Sequence, residues 1–219
     1  MTLVLVAHGT RDPRGAVVVE EIAALVRARL GGVRVEVAYA DVRSPDVTAV
    51  VGGVDGPVVV VPAFLAAGYH VRVDVPEQIA ASGHGDVVVA EPIGSALLPV
   101  VRERLREAGW RPGDAVVLAA AGSSDPRALA DVVGVAGVLG AEVGYIATAS
   151  PTVPEAVAAL KAQGRRVAVA SWLLAPGLFH RRLADAGADV VAEPIGAHSR
   201  VVDAVLLRYY EARCFLQVA

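Results

Sequence analysis

Short, wholly apolar runs alternate along the chain with longer stretches in which apolar residues recur every three or four positions. Residues 3–7 are five apolar residues in a row, rich in Val and Leu, the pattern of a strand buried on both faces. Val18, Ile22, Leu25, Val26 and Leu30 follow at helical spacing over 16–30, and Gly31-Gly32 stops that helix. A strand over 33–39 carries polar residues at Arg34 and Glu36, and Asp41 follows it. Ser44-Pro45-Asp46 reads as an N-cap, a first-turn proline and a first-turn acid for a short helix to about Val51. A third buried strand over 57–61 opens onto a loop, 62–70, whose His70 precedes a helix over 74–81. A strand over 87–90 and a helix over 97–108 complete the set. Buried strands alternating with amphipathic helices predict a parallel sheet with helices on both sides.

At Gly113-Asp114 the pattern begins again. Residues 115–120 form a strand like the first. Ala121-Gly122-Ser123-Ser124-Asp125-Pro126-Arg127 then mirrors His8-Gly9-Thr10-Arg11-Asp12-Pro13-Arg14 at a distance of 113 residues. Glu193-Pro194-Ile195-Gly196 repeats Glu91-Pro92-Ile93-Gly94, and Leu173 to His180 echoes the Phe64 to His70 loop. Three matches in the same order identify an internal duplication. The expected architecture is therefore α/β: two similar doubly wound domains, 1–112 and 113–219, each a four-stranded parallel sheet flanked by helices. The halves are expected to pack face to face around one cleft, as a monomer with an internal pseudo-dimer.

Composition narrows the partners. The 219 residues are 55% hydrophobic, ample for buried cores, and the net charge of −3 offers no broad basic face to nucleic acid or to a membrane surface. No apolar run reaches the ~18 residues of a membrane span, and no cationic region precedes the first strand, so a cytoplasmic protein is expected. The single cysteine, Cys214, cannot form an internal disulfide and reads as a small packed hydrophobe. The single lysine, Lys161, reads as part of a solvated helix face. It follows Leu160, which excludes a Gly-Lys-Ser/Thr phosphate loop. No Gly-x-Gly-x-x-Gly follows the first strand, so no nucleotide cofactor is expected.

Three chemically capable side chains remain at strand ends: His8 after the first strand, Asp41 after the second and His70 beyond the third. In a doubly wound sheet these loops share one rim, so two imidazoles and a carboxylate can converge on a borderline divalent ion such as Fe(II), Co(II), Ni(II) or Zn(II). Asp41 reads equally well as a helix-start residue. His84, between two glycines, reads as a turn residue and His198 as the opening of the last helix. His180 matches His70 in its loop, but Ala121 stands where the first half has His8. One surviving site is thus expected, with the second half holding substrate. Arg11, Arg14, Arg72, Arg127, Arg181 and Arg182 lie beside the expected cleft. About half of them are expected to grip carboxylates, with Ser123 and Ser124 adding hydrogen bonds.

The segment His8-Gly9-Thr10-Arg11-Asp12-Pro13 after a strand, with Gly68-Tyr69-His70-Val71-Arg72-Val73-Asp74-Val75-Pro76 further on, resembles the sirohydrochlorin chelatases, class II chelatases of sirohaem and cobalamin synthesis. The resemblance covers nearly the whole chain and corresponds to the long form, in which two units are fused. It implies an ATP-independent lyase that inserts Fe(II) or Co(II), with Ni(II) also suited, into sirohydrochlorin. His8 and His70 match the family's pair of metal-presenting histidines. Asp41 stands where the family commonly has glutamate, and His180 matches neither of the pair. Two ring N–H protons must leave the tetrapyrrole. An imidazole freed from metal suits the first, and Asp41 can pass it to water. Two other readings fit parts of the pattern: a metal or tetrapyrrole carrier without insertion activity, and a phosphohistidine-type phosphatase. The phosphatase would need an arginine just before His8, where Ala7 stands.

Overall fold

The structure, a computed structural model, describes residues 1–216, with Ser95 described by its backbone alone. It contains two four-stranded parallel sheets of the same topology. In the first, β1 (Thr2–Ala7), β2 (Arg34–Tyr39), β3 (Val58–Pro62) and β4 (Val87–Val89) lie in the order β2-β1-β3-β4. In the second, β5 (Ala115–Ala120), β6 (Glu142–Tyr145), β7 (Val167–Trp172) and β8 (Val190–Val191) lie in the order β6-β5-β7-β8. Every pairing is parallel. The expected α/β class, four-stranded parallel sheets and duplication are all present.

The connecting helices are α1 (Pro13–Leu30), α2 (Val47–Gly52), α3 (Val75–Ala81), α4 (Leu98–Glu107), α5 (Pro126–Leu139), α6 (Val153–Lys161), α7 (Leu178–Leu183) and α8 (Ser199–Leu216). All six residues of β1 are buried, as its unbroken apolar run requires. Val4 and Val6 pack with Val47, Val51 and Val75 under α2 and α3. Leu3 and Leu5 alternate to the opposite face, the side on which α1 and α8 cover the sheet. The second sheet repeats the scheme, with Val117 and Ala119 against Val153, Val157 and Leu160 of α6 and Leu183 of α7. Each fully buried Val or Leu contributes about 1.5–3 kcal/mol, so a core of this size holds without a disulfide.

Helix starts follow short polar signals. Asp12 and Asp125 cap α1 and α5, each accepting from the backbone N–H two residues on, with proline in the first turn. Thr152 and Glu155 form a reciprocal capping box at α6. At α2 the expectation fails in detail. Asp46, not Ser44, is the N-cap, accepting from Ala49 N at 2.7 Å. The Ser44–Pro45 peptide is cis, and the Pro45 carbonyl accepts from Tyr39 N, so Pro45 belongs to the edge of the sheet rather than to a first helical turn. Cys214 is also not packed: it is exposed in the last turn of α8, its Sγ donating to the Tyr210 carbonyl.

The compact units do not follow the 1–112 and 113–219 division. One comprises Met1–Gly94 with Ala197 to the end of α8, the other Ser95–Gly196. The helix ending each repeat is the reason. α4 packs on β7 and α5, whereas α8 packs on β3, β4 and α1. Each sheet completes its second face with the terminal helix of the other repeat.

Two glycines set the strand-end geometry. Gly9 (φ +97°) and Gly122 (φ +94°) follow β1 and β5, and a Cβ there would lie 2.1 Å from the Asp41 carbonyl oxygen and 1.8 Å from that of Ala147. Gly122→Ala is therefore expected to lower stability by at least the ~1–3 kcal/mol of a strained backbone. Gly134→Ala, at an open mid-helix position of α5, is expected to raise it by ~0.5–1 kcal/mol. Urea unfolding of the two variants measures both.

Candidate metal centre

In the first sheet the chain turns one way from β1 to β2 and the other way from β1 to β3, so the carboxyl ends of β1 and β3 flank a topological switch point. His8 is the first residue beyond β1. Because Gly9 has no side chain, the loop after β2 lies against it, and Asp41 N donates to the His8 carbonyl at 2.9 Å. Beyond β3, Val71 N and Arg72 N both donate to the Gly68 carbonyl. A π-helical turn, His70–Asp74, then leads into α3. His70 is thus helical rather than in the loop expected from the sequence. The turn brings Asp74, four residues on, beside it.

The Nε2 atoms of His8 and His70 lie 3.0 Å apart, with ring centroids 4.4 Å apart and planes at 84°. Their other nitrogens are engaged with acceptors. His8 Nδ1 lies 3.0 Å from the Gly9 carbonyl, and His70 Nδ1 lies 2.5 Å from Asp74 Oδ2. A carbonyl and a carboxylate only accept, and with the proton on Nδ1 of each ring both Nε2 atoms present lone pairs to each other. Two facing lone pairs repel unless a cation lies between them. For a metal–imidazole bond of about 2.1 Å, a separation of 3.0 Å corresponds to an angle of about 90° at the ion, two adjacent corners of an octahedral or square-based site. Ligand atoms of His8, Asp41 and His70 all lie within 4.8 Å of one another, and among the described residues this is the one such group of three.

Asp41 is not a helix-start residue, since Asp46 has that role. Its Oδ1 accepts from Val42 N at 2.7 Å, which orients the carboxylate. Val42 has φ +55°, a strained setting for a β-branched residue, and Thr148 has φ +62° in the second sheet's matching loop. The strain recurs where no carboxylate is present, so it belongs to the scaffold. A hollow of about 390 Å³ borders Asp41, lined also by Tyr39, Arg43 and Gln78. Burial, reinforced by Glu20, pushes the Tyr39 phenol up against an opposing pull from Arg43, so it stays protonated at neutral pH.

The family model CbiX matches this chain twice, over residues 2–108 and 115–212. The chain belongs to the CbiX family. It is 31% identical over 139 residues to a sirohydrochlorin cobaltochelatase of Methanopyrus kandleri, covering 49% of this chain and 96% of that one. SirB of Bacillus subtilis with Fe3+ superposes with a TM-score of 0.81 at 22% identity, over 97% of this chain and 96% of SirB. The sirohydrochlorin chelatase SirB of Bacillus subtilis subspecies spizizenii in complex with cobalt gives 0.75 at 24% identity, over 97% and 95%. At these identities the structural matches establish the fold.

In the first CbiX repeat, Arg11 and Arg72 are exposed, and Arg72 Nε donates to the Ala67 carbonyl. Arg14 forks onto the capping carboxylate of Asp12, as Arg127 does onto Asp125 in the second repeat. Ser123 Oγ accepts from Asp125 N, a turn bond also made by Thr10, while Ser124 is exposed. Arg181 and Arg182 are exposed on α7, with Arg182 over the Phe179 ring. His84 accepts from Asp86 N in a turn, His198 accepts from Arg200 N at the start of α8, and Lys161 pairs with Asp189 at the exposed end of α6.

The second CbiX repeat has lost the whole constellation. Ala147 N donates to the Ala121 carbonyl as Asp41 N does to His8, so Ala121 and Ala147 occupy the positions of His8 and Asp41. Arg181 N donates to the Gly177 carbonyl as Arg72 N does to Gly68. That register puts Phe179, not His180, in the place of His70, and Leu183 in the place of Asp74. His180 is one residue out of helical phase with His70, and its Nε2 lies 3.9 Å from Glu193 Oε2. The loop echo in the sequence overstated the match. Cobalt(II) titration of the whole chain is accordingly expected to saturate at one equivalent, unchanged in His180→Ala. A second equivalent lost in that variant would contradict the assignment.

Proposed function

We propose that the chain is a sirohydrochlorin chelatase that inserts Fe(II) or Co(II) into the macrocycle. The observation that carries the reading is the pair of imidazole Nε2 atoms 3.0 Å apart beside a carboxylate, at the switch point of a CbiX repeat. The kinship with the Methanopyrus kandleri cobaltochelatase, of which the chain covers 96%, supplies the substrate class.

His8 and His70 take the incoming ion by displacing part of its water shell, and Asp41 adds a negative charge within reach. Neutral nitrogen ligands hold a borderline ion without binding it irreversibly, which suits an ion that has to leave again. As the ion passes to the ring nitrogens, two N–H bonds break and their electron pairs remain on the ring. One divalent ion enters as two protons leave, so charge balances and the step needs a base rather than ATP or a reductant. An imidazole released from the ion accepts the first proton, Asp41 passes it to water, and the second proton leaves by the same relay.

Arg11, Arg14 and Arg72 of the first repeat and Ser123, Ser124 and Arg127 of the second are proposed to hold the carboxylates of the tetrapyrrole. Arg14 and Arg127 each already share a carboxylate with a capping aspartate. Arg11 is therefore expected to matter more than these two. The duplication is taken to serve as an internal pseudo-dimer in a monomer of the cytoplasm. No helix among the described residues is long and apolar enough to cross a membrane.

Anaerobic mixing of the protein, Co(II) or Fe(II) and sirohydrochlorin, followed by absorbance of the macrocycle, tests the proposal. His8→Ala and His70→Ala should each slow insertion by more than the roughly 10–100-fold expected for loss of an outer-sphere partner, with the fold intact. Cys214→Ala should be unaffected. Binding of metal and macrocycle with no change to the metallated spectrum would make the chain a carrier instead.

A further inference from the structure

The two imidazoles are not equivalent. His70 Nδ1–H faces the Asp74 carboxylate at 2.5 Å, whereas His8 Nδ1–H faces only the carbonyl of its own neighbour, Gly9, at 3.0 Å. An ionised acceptor draws the Nδ1 proton more strongly than a neutral carbonyl and leaves more electron density on the opposite nitrogen, making it the better donor to a metal. The mechanical settings differ in the same sense. His70 and Asp74 are part-buried, with side-chain exposures of 35% and 25%, and are locked one turn apart in a π-helical segment. His8 is exposed on a strand-end loop and held by a bond to the adjacent residue.

We infer that Asp74 is a positioning residue that makes His70 the tight ligand of the pair and leaves His8 as the labile one. Resting on the chelatase reading, this gives the transfer a direction. The ion leaves His8 first, accepts a ring nitrogen in the vacated corner, and stays tethered by His70 until further ring nitrogens replace it. The freed Nε2 of His8 is then the base next to the ring N–H groups. Two equally strong ligands would hold the ion in place, and two equally weak ones would lose it to water.

The test uses the full chain without tetrapyrrole, so it does not depend on insertion activity. In protein carrying ¹⁵N-labelled histidine, His70 should show the Nδ1–H tautomer, and Asp74→Ala should let the Nε2–H form appear. Asp74→Asn, which keeps the shape and an accepting oxygen, should largely preserve the Nδ1–H form. Cobalt(II) affinity followed by ligand-field absorbance should fall roughly 10–100-fold in Asp74→Ala, less in Asp74→Asn, and further in His70→Ala than in His8→Ala. In a His70→Ala background, Asp74→Ala should have no additional effect, because it acts through that ring. An equal loss from Asp74→Ala with or without His70, an unchanged His70 tautomer, or equal losses from the two histidine variants would overturn the inference. If ligand order is as expected but no metal enters sirohydrochlorin, the chelatase reading fails and the inequality of the ligands stands.

Discussion

Two imidazole nitrogens held 3.0 Å apart are the constraint around which the first sheet is arranged. Left to themselves the rings would turn away or trap a proton. They are kept in place because each is fixed from behind, His8 by the Gly9 carbonyl and His70 by Asp74. That rear support depends on backbone features well away from the chemistry. Gly9 at φ +97° lets the Asp41 loop close against β1, and the Gly68 carbonyl starts the π-turn that spaces His70 from Asp74. Buried strands then hold those loops rigid, so a preference of one imidazole over another can decide how an ion moves.

Duplication has separated scaffold from chemistry within one chain. The second repeat keeps the strand order, the positive-φ glycine, the capping aspartate with its forked arginine, and the strained residue after β6. In place of His8, Asp41, His70 and Asp74 it has Ala121, Ala147, Phe179 and Leu183. The features that persist are those needed to fold a CbiX repeat. The first repeat alone keeps those proposed to hold an ion. The terminal helices crossing between the sheets, α4 on β7 and α8 on β3 and β4, mean that neither repeat makes a complete core from its own sequence.

Much of this was legible in the residues. Unbroken Val and Leu runs mark strands buried on both faces, and the motif repeat at 113 residues marks the duplication. His8, Asp41 and His70 stand out as polar groups at consecutive strand ends. Other features were less accessible because they are not local. Which sheet a terminal helix covers depends on long-range packing, which an amphipathic pattern leaves open. The offset of His180 against His70 appears only when the Gly68 and Gly177 carbonyls align the two turns. Asp74 carried a usable signal, since a carboxylate four residues after a histidine at a helix start meets it on one face. Placed only as the first residue of a helix over 74–81, it gave no hint of that bond. Ser44 looked like the cap because the rule favours Ser before Pro, but Asp46 lies where the free N–H groups of α2 emerge.

His8 and His70 are proposed to share one divalent ion. X-ray absorption fine structure of the full chain loaded with one equivalent of Co(II) tests it most directly. Two imidazole nitrogens are expected in the inner shell of cobalt at about 2.1 Å, falling to one when either histidine is replaced by alanine. A shell of oxygen alone, or one with the same imidazole count in both variants, would contradict it.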